Sequence, residues 1–452
     1  MIDAQARTIE ELRAEVVELK RRLGRNSGNS SQPPSTDGPG MSPSRAARRR
    51  SGRRPGKQPG PGGSALFQVS DPDEVVDHVP TACGGCNADL AGATAAGIVR
   101  RQVHDIPTST ATVVEHRLHR RRCGCGTTTT APAPAGVGAG AVYGPNLRAL
   151  AVYLLVFQHV PVARTAALIA DVTGARPSTG WVSSQLSAVA DVLINVEKLI
   201  KSLITLAHVI HVDETTSNIN GARWWLHVAG TDTLTAYPLH RSRGRAAVTE
   251  FAVLPGFRGT VVHDALSVYD AYPEARHGLC GAHITRELVA AGEADPHQVW
   301  PAQALRALHG LNTAAHHARD QQQEAIPPEI AEPILRSWRH AIRVGLAEHR
   351  RVPGRRQSKT RNLLERLRDR DEQVLLFARD LSVPFTNNQA ERDIRPTKTQ
   401  LKISGCHRSA ATATAWLRIR GYISTVIKHG EHVLNALRDA VTGNPWTPPA
   451  AC

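Results

Sequence analysis

Residues 206–215 read LAHVIHVDET, an apolar alternating run that closes on Asp213, and such a run describes a buried strand with an acid at its tip. WWLHVAG and LTAYPL follow as two further strands joined around Thr231-Asp232-Thr233. RAAVTEFAVL then suits a helix, and GFRGTVVHDALSVYDAY a strand that ends on Asp264. The order strand, strand, strand, helix, strand predicts an α/β sheet, with one carboxylate at the end of its first strand and another at the end of its fourth. Taken singly, each aspartate is better explained as a turn or cap residue. Their joint placement is what points to chemistry. Metal-assisted phosphoryl transfer needs several carboxylates from separate elements, because two magnesium ions about 3.5–4 Å apart must bind the attacking and leaving oxygens of one phosphodiester. Two aspartates begin such a cradle and do not complete it.

Two later acids compete for the third position. Glu287 lies in CGAHITREL, on a helix that follows the short strand-like HGLCG, and is the nearer in sequence. Glu391 lies in TNNQAERDIRP and reaches the sheet only if residues 293–380 form an insertion; that stretch is helix-forming text, poor in strands. The residues alone leave the choice open. In the same motif Asn388 as N-cap, with Glu391 three residues on, is a capping-box pattern, and Pro396 predicts the end of the helix.

The chain has 452 residues, 41% of them hydrophobic, so it has the length for several domains and a sizeable core. With 55 Lys and Arg against 40 Asp and Glu, its formal charge of +15 makes a polyanion the natural partner. Nucleic acid is favoured over membrane, because the longest apolar run, Ala149 to Phe157, is too short to span a bilayer. The first residues carry acids and helix formers in place of a basic stretch and apolar core, which predicts a cytoplasmic protein.

Ile2, Ile9, Leu12, Val16, Leu19 and Leu23 predict a coiled-coil dimerisation helix over 1–24, in preference to an amphipathic helix packed on its own domain. Residues 25–65 are rich in Ser, Pro, Gly and Arg and predict a disordered basic linker. Its run Arg48, Arg49, Arg50, Arg53, Arg54 and Lys57 suits either a DNA backbone or plain solvation. Cys83-Gly-Gly-Cys86 and Cys123-Gly-Cys125 form two tight thiol pairs, which read as one structural zinc in a zinc-ribbon-like domain over 66–135 and as a reducing compartment. His104, His116 and His119 between them lack paired spacing and read as surface residues. Over 136–203 the text is helical: PVARTAALIADVTG and STGWVSSQLSAVADVLINVEKLI, joined at GARPS, suit a DNA-binding helix-turn-helix or two helices of a bundle equally.

Over nearly its whole length the chain resembles transposases of the bacterial insertion-sequence family sixty-six, a group of DDE transposases. The likeness rests on the heptad helix, the NSGNSSQPPSTD linker, the paired cysteines, the helical block, VDET, the Asp264 strand, CGAH followed by Arg286, and above all TNNQAERDIRP with the downstream KTQLKISGCHRS. The resemblance implies that Glu391 is the third catalytic acid beside Asp213 and Asp264, leaving Glu287 the lesser candidate. It implies an α/β RNase H-like catalytic core over 204–292 and 381–430, an all-α insertion over 293–380 and a C-terminal tail over 431–452. The three acids would bind two magnesium or manganese ions. Cys280 and His283 match a CxxH motif read here as structural. Arg286, Arg392 and Arg395 are candidate phosphate contacts, although a salt-bridged helix surface serves the last two as well. GCHRS carries Ser and Cys where an aromatic residue before the arginine is expected, which bears on local packing and not on the acids.

The implied activity is metal-dependent cleavage of insertion-element ends and strand transfer into target DNA. Its partners would be double-stranded DNA, as terminal inverted repeats and target, a second or further copy of the chain, and small accessory proteins of the same element. The setting would be nucleoid-associated, in the bacterial cytoplasm, without membrane. The rival readings are a DNA-binding regulator or inactive transposase relic, and a metal-dependent nuclease that hydrolyses without joining.

Overall fold

The computed structural model describes residue 16 and residues 66–105, 110–351 and 357–449. The dimerisation helix expected over 1–24, apart from the helical Val16, and the linker over 25–65 lie outside the described residues. Two compact units make up the chain. One is Ser44–Thr110, and the other holds Met1–Pro43 and Ala111–Cys452. The boundary therefore falls inside the stretch expected to be one zinc-bearing domain, with Cys83 and Cys86 in one unit and Cys123 and Cys125 in the other. Among the described residues before Ala149, no hydrophobic side chain is buried, and Leu66, Phe67, Val76, Ile98 and Val103 are all exposed. That segment has no apolar core of its own.

Among the described residues of the larger unit, the first strands form a small antiparallel hairpin, β1 (Arg120–Arg122) and β2 (Thr128–Thr130). Four helices follow: α1 (Pro145–Val152), extended by a π-helical turn over Tyr153–Phe157, α2 (Val162–Thr173), α3 (Thr179–Val192) and α4 (Ile194–Leu206). Gly174 closes α2 at φ 73°, and the Ser178 hydroxyl caps α3 by accepting from the Trp181 N–H. The run expected as one second helix breaks at Leu193. The break re-aims the chain so that Val182, Leu186 and Val189 on one side and Val196, Ile200 and Ile204 on the other enter the same core.

That core is shared with the sheet. Strands β3 (Val209–Ile219), β4 (Ala222–Gly230), β5 (Thr235–Ala236), β6 (Leu239–His240), β7 (Thr260–His263) and β8 (Arg276–Leu279) lie in the order β5-β4-β3-β7-β8, with β6 also on β4. β3 and β4 pair antiparallel, and β3–β7 and β7–β8 pair parallel, with α5 (Arg245–Phe251) on the crossover. The expected order of elements is present, the third strand being interrupted by Pro238, which has no N–H to donate. The end of the first strand is a correction. β3 does not stop at Asp213; it runs on to Ile219, where Asn220 (φ 47°) and Gly221 (φ 80°) make the two-residue turn into β4 that needs positive φ at both positions.

After β8 the chain is helical through α6 (Gly281–Ala294), α7 (Trp300–Asp320), α8 (Pro328–Glu348), α9 (Lys359–Asp369), α10 (Asp371–Val374) and α11 (Leu376–Arg379). These helices bury a second core around Trp300, Leu308, Leu311, Trp338, Leu364 and Phe377. Gly345 is required there: a Cβ would lie 2.7 Å from Leu364 and 2.8 Å from Trp300. The chain then returns to the sheet as α12 (Asn388–Ser404), α13 (Ala410–Lys428) and α14 (Val433–Val441).

Three further expectations are corrected. Pro396 does not end its helix but sits inside α12, which packing of Ala390, Ile394 and Gln400 carries past the missing N–H. Residues 431–452 are not a simple tail, because Val433, Ala436, Leu437 and Ala440 of α14 are buried in the first core. The helical block over 136–203 is not separate from the sheet domain, because α1, α3 and α4 bury their apolar faces in that same core. Among the described residues no helix is long and apolar enough to cross a membrane.

Candidate active site

The register of the sheet brings the two aspartates level. Val209, Ile210 and His211 pair with Thr260, Val261 and Val262, so the same register carried two residues further sets Asp213 against Asp264, just beyond the last hydrogen-bonded pair of β3 and β7. Asp213 Oδ1 accepts from the Glu214 N–H at 2.8 Å. Asp264 Oδ1 accepts from the Leu266 N–H at 3.1 Å, across Ala265, which is held at φ 76°. A chain of neutral histidines supports this turn. The Ala265 N–H donates to His263 Nδ1 (3.2 Å), so His263 Nε2–H donates to His277 Nδ1 (3.1 Å) and His277 Nε2–H to the Tyr272 carbonyl (3.1 Å).

Glu391 arrives from the first turn of α12. The capping box is not formed, which is a correction: the N-cap is Asn387, and its side chain bonds no helix N–H. Asn387 is buried and spans two elements instead. Its Nδ2 donates to the Val212 carbonyl (2.8 Å), its Oδ1 accepts from His211 Nδ1 (2.9 Å), and its backbone N–H donates to Cys280 Sγ (3.2 Å). One side chain thus pins the start of the Glu391 helix to the strand that carries Asp213. Burial holds the His211 imidazolium down, so the ring is a neutral donor at Nδ1.

The three acids lie within electrostatic reach of one another. Burial, then the charges of Glu214, Asp264 and Glu391, raise the Asp213 carboxyl to about 7. Glu214 was overlooked in the sequence because strand alternation points it to the opposite face from Asp213. Its side chain is 4% exposed, accepts from Tyr269 Oη at 2.8 Å and faces Arg243 at 3.9 Å; burial and Asp264 push it also to about 7. Among the described residues no three His, Cys, Asp or Glu side chains are drawn together closely enough to hold a metal ion as they stand. The donor chemistry nevertheless suits a hard divalent cation: oxygen ligands whose negative charge exceeds the positive charge of the two arginines near them, Arg243 and Arg286.

This imbalance has a measurable consequence. Both carboxyls titrate higher in the folded chain than their ordinary values of 3.8 and 4.5, so the folded state prefers them protonated. The stability they contribute is fully present below about pH 4 and is lost as pH rises through about 7. Metal-free protein is therefore expected to lose on the order of 2–3 kcal/mol between pH 5 and pH 8 from this source, discounted for the partial exposure of Asp213. Thermal melting in chelator checks it: Asp213→Asn should flatten the slope, and a variant that melts with the wild-type pH profile contradicts the assignment.

The remaining predicted residues divide. Glu287 on α6 is half-exposed and ion-paired with Arg366 of α9, so it serves the helical segment. Cys280 is buried, its thiol pushed up by burial, and joins β8 to Asn387. His283 is held neutral by burial, with Nδ1 buried and unpartnered. Arg286 stands 3.9 Å from Glu391 with its Nε buried and unpartnered. Arg392 and Arg395 are exposed, and Arg392 with His208, His211, His316 and Arg319 lines a cavity of about 1200 Å³ beside the site. The exposed face of α3 carries Ser183, Ser184, Ser187 and Asp191, and no Lys or Arg occurs in that helix. His104, His116 and His119 are exposed.

Each cysteine pair is closed on itself. Backbone amides of Cys86 and Gly85, with the Cys86 thiol, pull Cys83 below its ordinary value. The Thr127 hydroxyl and amide, with Cys123, pull Cys125 to about 7. Both environments favour the thiolate that metal binding needs.

The profile of a family of unknown function (DUF6444) matches residues 3–66. No curated protein matches the chain. The profile described as Transposase IS66 family matches residues 140–415, more than half of the 452 and every one of the acids described above. The chain belongs to the IS66 family of transposases.

Proposed function

We propose that the protein is a DDE transposase that cuts the ends of its element and joins them to target DNA in one site. The observation that carries this reading is that Asp264 at the end of β7 and Glu391 of α12 come within electrostatic reach of Asp213 of β3, beside two interior strands of the sheet, in a chain of this family. A three-stranded antiparallel part extended by two parallel strands, with helices on it, supports an RNase H-like core interrupted by the helical segment.

Asp213, Asp264 and Glu391 would hold two magnesium or manganese ions, which when bound supply Lewis-acid stabilisation of the phosphodiester oxygens. The protein's own groups do the rest. Asn387 and the His263–His277 chain fix the carboxylates in place before substrate arrives, so little reorganisation is needed as charge develops on the phosphate. Arg286, 3.9 Å from Glu391, would donate to a phosphate oxygen from its terminal guanidinium nitrogens, with Arg392 and Arg395 contributing on the exposed side. Water attacks the phosphodiester at the element end and frees a 3′-hydroxyl, which then attacks target DNA. No covalent bond to the protein is required.

Purified protein incubated with magnesium and a supercoiled plasmid carrying the gene and its flanking DNA tests this. Breaks at discrete borders with joined products, both lost in chelator, are expected. Breaks without joining would leave a nuclease, and binding without breaks a regulator or an inactive relic.

The same reading keeps the sequence expectation of structural zinc on the thiolates of Cys83, Cys86, Cys123 and Cys125, and Arg120–Arg122, next to Cys123 in the chain, would lie along DNA phosphates. A second copy of the chain would let both ends be handled together. Elemental analysis is expected to find about one zinc per chain. Cys83→Ser and Cys125→Ser should each release it and leave residues 66–130 open to protease; zinc retained by both variants refutes the assignment.

A further inference from the structure

The β3–β4 hairpin projects past the acids. From Asp213 to Ile219 it continues for about 20 Å after β7 has ended, with β6 pairing to β4 at Trp225 and Leu226 and Ile219 bridging to His407. α12 and α13 lie on one face of it, where Thr397, Leu401 and Trp416 line a small pocket together with Ser217 and Leu226. The other face begins at Glu214, within reach of Asp264, and continues through Thr216 and Asn218 of β3 and Trp225 and Arg223 of β4. Thr216, Asn218 and Arg223 are exposed and Trp225 is half-buried. Arg243 lies over the Trp225 ring, 5.0 Å from its centroid, and also faces Glu214 at 3.9 Å. Arg241 lies 4.2 Å over the Trp224 ring, which strand alternation turns to the other face with Ser217.

We propose that this face of the hairpin seats an unpaired DNA strand leading into the active site, with Trp225 stacking on a nucleobase and Arg223 and Arg243 holding its phosphates. The inference rests on the reading of the three acids as the reaction centre and adds how the strand is presented to them. Charge supplies the first reason: Arg223 and Arg243 border a face that ends on Glu214, within reach of Asp264, so a polyanion is held there and its cleavable phosphate brought to the end of β7. The ring supplies the second. A half-buried indole beside an arginine offers a π-face, which only an unstacked base can use, because bases within a duplex already stack on each other. Access supplies the third. The Glu214 carboxylate at the end of this face is 4% exposed and close to Asp264, and a single strand brings less bulk to so enclosed a corner than a duplex does.

The test is binding measured in chelator, by fluorescence anisotropy, to a blunt duplex and to the same duplex with a short unpaired tail. Cleavage plays no part in it, so a protein that fails to cut plasmid still reports on the hairpin. Wild type is expected to prefer the tailed duplex by about tenfold or more. Trp225→Leu should lower affinity for the tail about 5- to 100-fold with little change for blunt DNA, while Trp225→Phe, which keeps a ring, retains most of the preference. Arg243→Gln, at an exposed position, should reduce the slope of log affinity against log salt by about one. Equal binding of tailed and blunt duplexes by wild type overturns the proposal, as does a Trp225→Leu variant that folds and binds the tail like wild type. If Trp225→Leu does not fold, an unchanged salt slope in Arg243→Gln overturns it.

Discussion

Glu391→Gln is expected to lower strand cleavage about 10²–10³-fold or more while leaving DNA binding intact, whereas Glu287→Gln should cleave at close to the wild-type rate. The two glutamates differ in what surrounds them. Glu391 stands at the start of α12, in the electrostatic field of Asp213 and with Arg286 at 3.9 Å. Its replacement by the isosteric amide removes a charge without removing volume, so a loss of rate reads the charge. Glu287 spends its carboxylate on Arg366 and is half-exposed, and such a pair contributes no more than about 1 kcal/mol to folding. Border cleavage of plasmid, with gel-shift binding measured in parallel, separates the cases. An inactive Glu287→Gln beside an active Glu391→Gln would move the third acid to α6.

Asn387→Ala is expected to cost about 2–4 kcal/mol of stability and to take cleavage with it, while Asn388→Ala stays within about 0.5 kcal/mol of wild type. The first substitution leaves the Val212 carbonyl and the His211 Nδ1–H buried without their partner, each at about 1–3 kcal/mol. It also unpins α12 from β3, so Glu391 would no longer be held against Asp213. Asn388 is exposed and makes no cap. Urea unfolding gives the energies and the plasmid assay the activity. A capping box would have reversed the order of the two asparagines, so a larger loss at Asn388 would restore that arrangement.

These two asparagines show why parts of the site were readable and others were not. The type and order of the core strands follow from alternation over a few residues, and the motif around Glu391 stands out in the text. Asn220-Gly221 was as strong a signal for the hairpin turn as any in the chain, and reading it would have carried β3 past Asp213 to Ile219. The break at Leu193 and the helix running through Pro396 had no such signal, because both depend on which apolar faces find a shared core. Glu214 was passed over for a related reason: alternation placed it away from Asp213, and the burial under Tyr269 comes from a segment more than fifty residues later.

The sequence by itself determined the strand and helix content, the acids available and the family, since these rest on local pattern and on motifs. Only the tertiary structure decided how the acids meet. It set Asp213 level with Asp264 through the register of β3 and β7, returned α12 to the sheet after the helical segment, and pinned it there through Asn387. Carboxylates that repel one another gather only when burial and hydrogen bonds elsewhere in the fold oppose that repulsion, and no local stretch of sequence contains those bonds.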